Sequence, residues 1–152
     1  MKITVAEVLE KKGRDVCTTA PGATVYDALK LIADKGIGAL VVLDGGEIAG
    51  MFSERDYARK VVLQGRWSKD TLVADVMTTS VYHVAPWLTV VECMELMTEK
   101  HVRHLPVLDG GKLVGIISIG DVVKTIISEQ QTALKQLEGF VDEALKGRPP
   151  KS

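Results

Sequence analysis

Residues 103–121 read RHLPVLDGGKLVGIISIGD and residues 38–56 read GALVVLDGGEIAGMFSERD. A shift of 65 positions lays residues 21–62 on 86–127 without a gap, and 14 of the 42 pairs are identical. The likeness reaches upstream from VAEV (5–8) to VADV (73–76) after a three-residue change in length. A repeat of this kind constrains the fold more than any composition figure. One unit of roughly 55 residues buries only a small core, so the two copies must share one body.

Each unit parses alike. A short β-rich run, DVCTTA or SVYHVA, is closed by Pro21 or Pro86. Thr24 or Thr89 then caps a helix whose apolar residues fall at helical spacing, as Val25, Ala28, Leu29 and Ile32 do. Two apolar runs around Asp-Gly-Gly make a hairpin, because glycine takes the positive φ of such a turn cheaply. Ser53 or Ser118 starts a second helix. The expected fold is α/β (α+β): two βαββα repeats packed with pseudo-two-fold symmetry, at residues 3–65 and 66–127. Residues 128–152 form a C-terminal helical extension and a frayed tail, KGRPPKS. The extension carries an apolar stripe of Val123, Ile126, Ile127, Leu134, Leu137, Val141 and Leu145. That stripe either packs back onto its own chain or meets a second copy.

Ser53-Glu54-Arg55-Asp56 and Ser118-Ile119-Gly120-Asp121 read as helix caps. A helix start also offers free N–H groups to a phosphate, and a carboxylate there can accept both hydroxyls of a ribose. The differences between the copies lie in their basic residues. Arg103-His104 stands where the first copy has Gly38-Ala39, and Arg55 stands where the second has Gly120.

Other chemistries find little support. The formal net charge is −1 and only seven residues are aromatic, with Trp67 and Trp87 outside any basic cluster; a nucleic-acid groove is not expected. His101 and His104 lack an evident third metal ligand. There is no Ser/His/Asp set, paired-carboxylate motif or P-loop, so an enzyme is not expected. No uncharged run approaches the ~20 residues of a membrane span, and no signal peptide is apparent. Cys17 and Cys93 form no CxxC pattern, which suits a reducing, cytoplasmic setting.

The segments TVYDALKLIADKGIGALVVLDGGEIAGMFSERD and TVVECMELMTEKHVRHLPVLDGGKLVGIISIGD together resemble proteins built from a tandem pair of CBS domains, the Bateman module. The linking GRWSKDTLVADVMT is similar to the stand-alone CBS pairs of bacteria and plant organelles. The resemblance implies adenosyl ligands in two clefts, each built from both repeats. Asp56 and Asp121 would hold ribose, with Ser53 and Ser118 near the phosphate. The Asp56 cleft would be walled by Tyr82, Val102, Arg103 and His104 over Met51. The Asp121 cleft would be walled by Cys17, Ile37, Gly38 and Ala39 over Ile116. Arg55, Arg103 and His104 would meet phosphate, making the two clefts unequal. The resemblance further implies a sensor of AMP, ADP, ATP or NAD(H), a homodimer, and an effector protein as output; nothing in the sequence demands S-adenosylmethionine. A nucleotide-independent interaction scaffold is the alternative.

Overall fold

The computed structural model describes residues 2–147; Arg148–Ser152 of the tail lie outside the described residues. The chain runs α1 (Val5–Lys12), β1 (Thr18–Thr19), α2 (Val25–Lys35), β2 (Ala39–Asp44), β3 (Glu47–Ser53), α3 (Glu54–Asp56), α4 (Val73–Val76), α5 (Val90–Lys100), β4 (His104–Asp109), β5 (Lys112–Ser118) and α6 (Ile119–Lys146). The helices begin where the sequence places caps. Thr24 Oγ1 accepts the Asp27 N–H at 3.1 Å, and Thr89 forms a reciprocal capping box with Glu92. Val25, Ala28 and Ile32 put the buried face of α2 on one side of the helix.

Both hairpins turn on glycine pairs in positive φ, Gly45-Gly46 and Gly110-Gly111. Each register slips at the matching place, between Val42 and Leu43 and between Val107 and Leu108. The copies therefore share a bulge as well as a sequence. The first sheet is β1-β2-β3 with β1 parallel to β2, and the second is β4-β5. Where SVYHVA predicts a strand opening the second repeat, only an isolated parallel bridge, Val84–Val107, is formed. The two sheets meet through Ala39, Val41 and Met51, against which Leu113 and Ile116 pack.

Packing interleaves the repeats. Val5, Val8 and Leu9 of α1 belong to the core of the second repeat, with Val90, Leu105 and Ile117. Val73 and Val76 of α4 belong to the core of the first, with Val25, Leu40 and Phe52. Backbone bonds lock the exchange: Val5 N–H to Leu88 O at 2.8 Å, and Val25 N–H to Thr71 O at 2.8 Å. Thus the sequence division near residue 65 follows the repeat, whereas each lead-in helix is packed on the other copy.

The helix predicted after Ser53 forms over residues 54–62, its first turn α-helical (α3) and the remainder, 57–62, π-helical. Its counterpart α6 runs for 28 residues. Ile126 of the α6 stripe packs on the core of the second repeat, but the stripe beyond it does not return to the body. Val122 is buried, but every residue from Ile127 to Gly147 is exposed.

Candidate functional site

Asp56 sits at the first turn after β3 and is only 7% exposed. Its Oδ2 accepts the Ser53 N–H at 2.9 Å and the Ser53 hydroxyl at 3.0 Å. Its Oδ1 accepts the Thr78 hydroxyl at 2.9 Å and the Lys60 ammonium at 3.0 Å. The carboxylate is thus both cap and ion-pair partner, with four donors on its two oxygens.

Thr78 reaches Asp56 because the chain leaves α4 in extended form and pairs with β3. Thr78 N–H donates to Met51 O at 2.8 Å, and Met51 N–H to Thr78 O at 2.9 Å. Gly50 makes the approach feasible. A Cβ there would lie 2.7 Å from the Thr78 carbonyl oxygen and 2.8 Å from Met77 Sδ. The π-helical turn, with the wide i→i+5 bond from Leu63 N–H to Ala58 O, carries Arg59 and Lys60 at the same place.

Together these elements wall a cavity of about 520 Å3. Met51, Ser53, Arg55, Asp56, Tyr82, Val102, Arg103 and His104 all line it. So do Gly38 and Ala39, which the resemblance assigns to the other cleft. Both repeats contribute, and Arg55 Nη1 donates to the His101 carbonyl across them at 3.5 Å. Lys100 lies 5.4 Å from the centroid of the Tyr82 ring, a cation–π contact at the cavity wall. Arg55, Arg59, Lys60, Lys100 and Arg103 line it with Glu54 and Asp56, and Lys100 also pairs with Glu99 at 3.6 Å, so the lining keeps an excess of positive charge suited to an anion. His104 is held neutral near pH 7. Burial lowers its pKa first; Lys12 and Arg103 lower it further against the opposing pull of Asp121. Its ring also fills the space beside Gly38, where a Cβ would lie 3.3 Å from Nε2.

His101 closes α5 in the left-handed region at φ 55°, where the first repeat has Gly36 at φ 63°. A side chain at this strained position on the rim brings an imidazole where the first copy has none. Neither His101, Lys60, Lys100 nor Thr78 figures among the sequence-predicted binding residues. The MTTS that follows VADV, where LEKK follows VAEV, was the available signal for Thr78.

The second carboxylate meets different neighbours. Ser118 and Asp121 repeat the capping box, with Ser118 N–H to Oδ2 at 2.8 Å. Here α1 continues for a full two turns, and Lys12 at its end lies 2.5 Å from Asp121 Oδ2 and 2.7 Å from the Ile116 carbonyl oxygen. A cavity of about 530 Å3 adjoins Asp121, but its walls come from α1 and α6, including Glu7, Lys11, Lys12 and Lys124. Cys17, Ile37 and Ile116 do not line it. Cys17 and Ile37 pack on the first repeat's core, and Ile116 packs between the sheets. Ser118 and Gly120 are outside its walls too; Gly120 borders a shallow groove along α6.

Burial alone would raise the Asp121 pKa, but hydrogen bonds from Lys12 and the Ser118 N–H outweigh it and hold the carboxyl below its ordinary range. With the folded pKa below the unfolded value of about 3.9, this stabilisation is present above that pH and is lost as pH falls through the folded value. Lys12→Met is therefore expected to cost about 1 kcal/mol at pH 7, with the gap to the parent chain narrowing below about pH 4. Urea unfolding at both pH values checks this; a gap that does not change with pH would contradict the ion pair's role.

Cys17 and Cys93 are free thiols, and burial first, then Glu92, pushes Cys93 up to about 11. Among the described residues no group of three His, Cys, Asp or Glu side chains stands where it could hold a metal ion. No helix among them is long and apolar enough to cross a membrane.

The CBS domain family model matches residues 4–63 and 73–128. The chain belongs to the CBS-domain family, as a tandem pair. A CBS domain-containing protein of Arabidopsis thaliana, CBSX3, mitochondrial, is 40% identical over 149 residues, 91% of this chain and 71% of that protein. A solved signal-transduction-type CBS protein from Burkholderia ambifaria is 58% identical with a TM-score of 0.81, covering 84% of this chain and 96% of its own. The CBS pair of protein MJ0100, solved with 5-methylthioadenosine and S-adenosyl-L-methionine, shares the fold at a TM-score of 0.76 and 20% identity, over 85% of this chain and 99% of its own. CBS pairs are regulatory modules that can bind adenosine-containing ligands. They also occur within enzymes: arabinose 5-phosphate isomerase KdsD of Yersinia pestis is 33% identical over 113 residues, 34% of its length.

Proposed function

We propose that the Asp56 cleft binds an adenosine ligand carrying phosphate and that the chain acts as a non-catalytic regulatory sensor through a partner protein. The observation that carries the reading is a buried capping carboxylate, Asp56, facing five cations across a cavity built from both repeats. The adenine would lie against Met51, Tyr82 and Val102, and the ribose hydroxyls would bond to Asp56 Oδ1. That atom now accepts from Thr78 and Lys60. The Lys60 side chain is 42% exposed, so a ribose hydroxyl can take its place while the ammonium turns to the phosphates. Because the walls come from both repeats, an occupied cleft ties them together, and that is the change an effector would read.

Five cations suit more than one phosphate, so ATP and ADP rank ahead of AMP, with NAD(H) between. S-adenosylmethionine ranks last, because its sulfonium adds a positive charge to a cationic cleft. A thermal-shift panel of these ligands, with guanosine monophosphate as control, tests the reading. At about a hundred times its dissociation constant a ligand adds roughly 2.7 kcal/mol, on the order of 5–10 °C in a chain of this size. No rise with any adenosine ligand would overturn the proposal, and a rise led by S-adenosylmethionine would overturn the ranking.

A further inference from the structure

From Ile127 to Lys146, α6 stands clear of the body with every residue exposed, a length of about 30 Å. A helix in a protein draws most of its stability from packing of an amphipathic face rather than from propensity. Its sequence is not that of a solvated spacer. Val123, Ile127, Leu134, Leu137 and Val141 are between 39% and 58% exposed. They recur at the alternating three- and four-residue spacing of a heptad seam, with Gln130 filling the one polar position.

We infer that this seam pairs with the α6 of a second copy, the two helices running antiparallel and crossing near Thr132. Independently of the nucleotide reading, two features favour this occupant and direction. First, an antiparallel register centred there brings every apolar seam residue against an apolar partner except at Gln130. Val123 meets the partner's Val141, and Ile127 meets the partner's Leu137. Second, the same register sets Lys124 beside the partner's Glu138, and by symmetry this happens twice. A parallel, in-register pair would stack Gln130 on the partner's Gln130 and would leave both Lys124 and Glu138 facing apolar residues. Charge at the seam edge therefore selects the antiparallel form. Both side chains are exposed and neither takes part in an ion pair within the described chain.

Sedimentation equilibrium of the full chain at micromolar concentration, across a charge-swap set, tests the inference. The parent chain is expected to be a dimer. Lys124→Glu and Glu138→Lys should each weaken dimerisation by about tenfold, since each replaces two attractions with two like-charge pairs. The Lys124→Glu/Glu138→Lys double variant should return to within about threefold of the parent. A monomeric parent, single variants that dimerise normally, or a double variant that fails to recover would each overturn it.

Discussion

Asp56→Ala is expected to weaken adenosine-ligand binding by at least about a hundredfold. The loss removes two charge-assisted hydrogen bonds to a ribose, each contributing on the order of 1.5 kcal/mol or more. The same substitution has a folding cost, because it strips the acceptor from the Ser53 N–H and hydroxyl, from Thr78 and from Lys60. That cost is expected at about 1–3 kcal/mol in urea unfolding. Asp56→Asn separates the two effects. Its carbonyl oxygen can still accept the Ser53 N–H, so stability should recover in part, while the amide presents donors where the ribose hydroxyls need acceptors. Titration calorimetry on the three proteins reads the difference. Unchanged binding in either folded variant would sink the assignment of Asp56 as the ribose acceptor.

Gly50→Ala is expected to destabilise the fold by about 1–3 kcal/mol and to weaken binding as well. The added methyl would lie 2.7 Å from the Thr78 carbonyl oxygen, which is backbone fixed by two bonds to Met51. Relief requires moving the extended segment that delivers the Thr78 hydroxyl to Asp56. The equivalent Gly115→Ala offers an internal control, because its methyl would lie 2.7 and 2.8 Å from Leu9 Cδ1 and Cδ2, buried side-chain atoms away from the segment that carries Thr78. Gly115→Ala should therefore destabilise the fold while leaving binding at Asp56 unchanged. If Gly115→Ala weakens binding as much as Gly50→Ala does, the close backbone approach at Gly50 is not what limits the site.

Much of this architecture is written in the repeat. The caps at Thr24 and Thr89, the glycine turns and the paired Ser-x-x-Asp boxes are local features, set by residues a few positions apart, and the copies agree on them. What the sequence concealed depends on long-range packing. Nothing local to VAEV says that α1 packs under the second repeat, since its apolar face fits either core. The strand expected at SVYHVA shrank to one bridge at Val84, and the helix expected after Ser53 is present but π-helical over 57–62. The Asp121 surroundings differ for a related reason. After VADV the chain turns extended and delivers a neutral hydroxyl, Thr78, to Asp56. After VAEV the helix persists and delivers a cation, Lys12, to Asp121. Repeat alignment pairs those segments loosely, so a difference of one helical turn was invisible until the helices were placed. The α6 stripe was legible as a stripe; that it leaves the body at Ile127 was not.

Lys60 on Asp56 is exposed and can turn to a phosphate, whereas Lys12 is held by both Asp121 and the Ile116 carbonyl oxygen, so the Asp56 cleft is the one proposed to take an adenosine phosphate. Titration calorimetry of the full chain with ATP counts the sites directly. One site per chain, lost in Asp56→Ala and kept in Asp121→Ala, is the expected result. Two equivalent sites per chain, or a single site lost with Asp121 instead of Asp56, would contradict it.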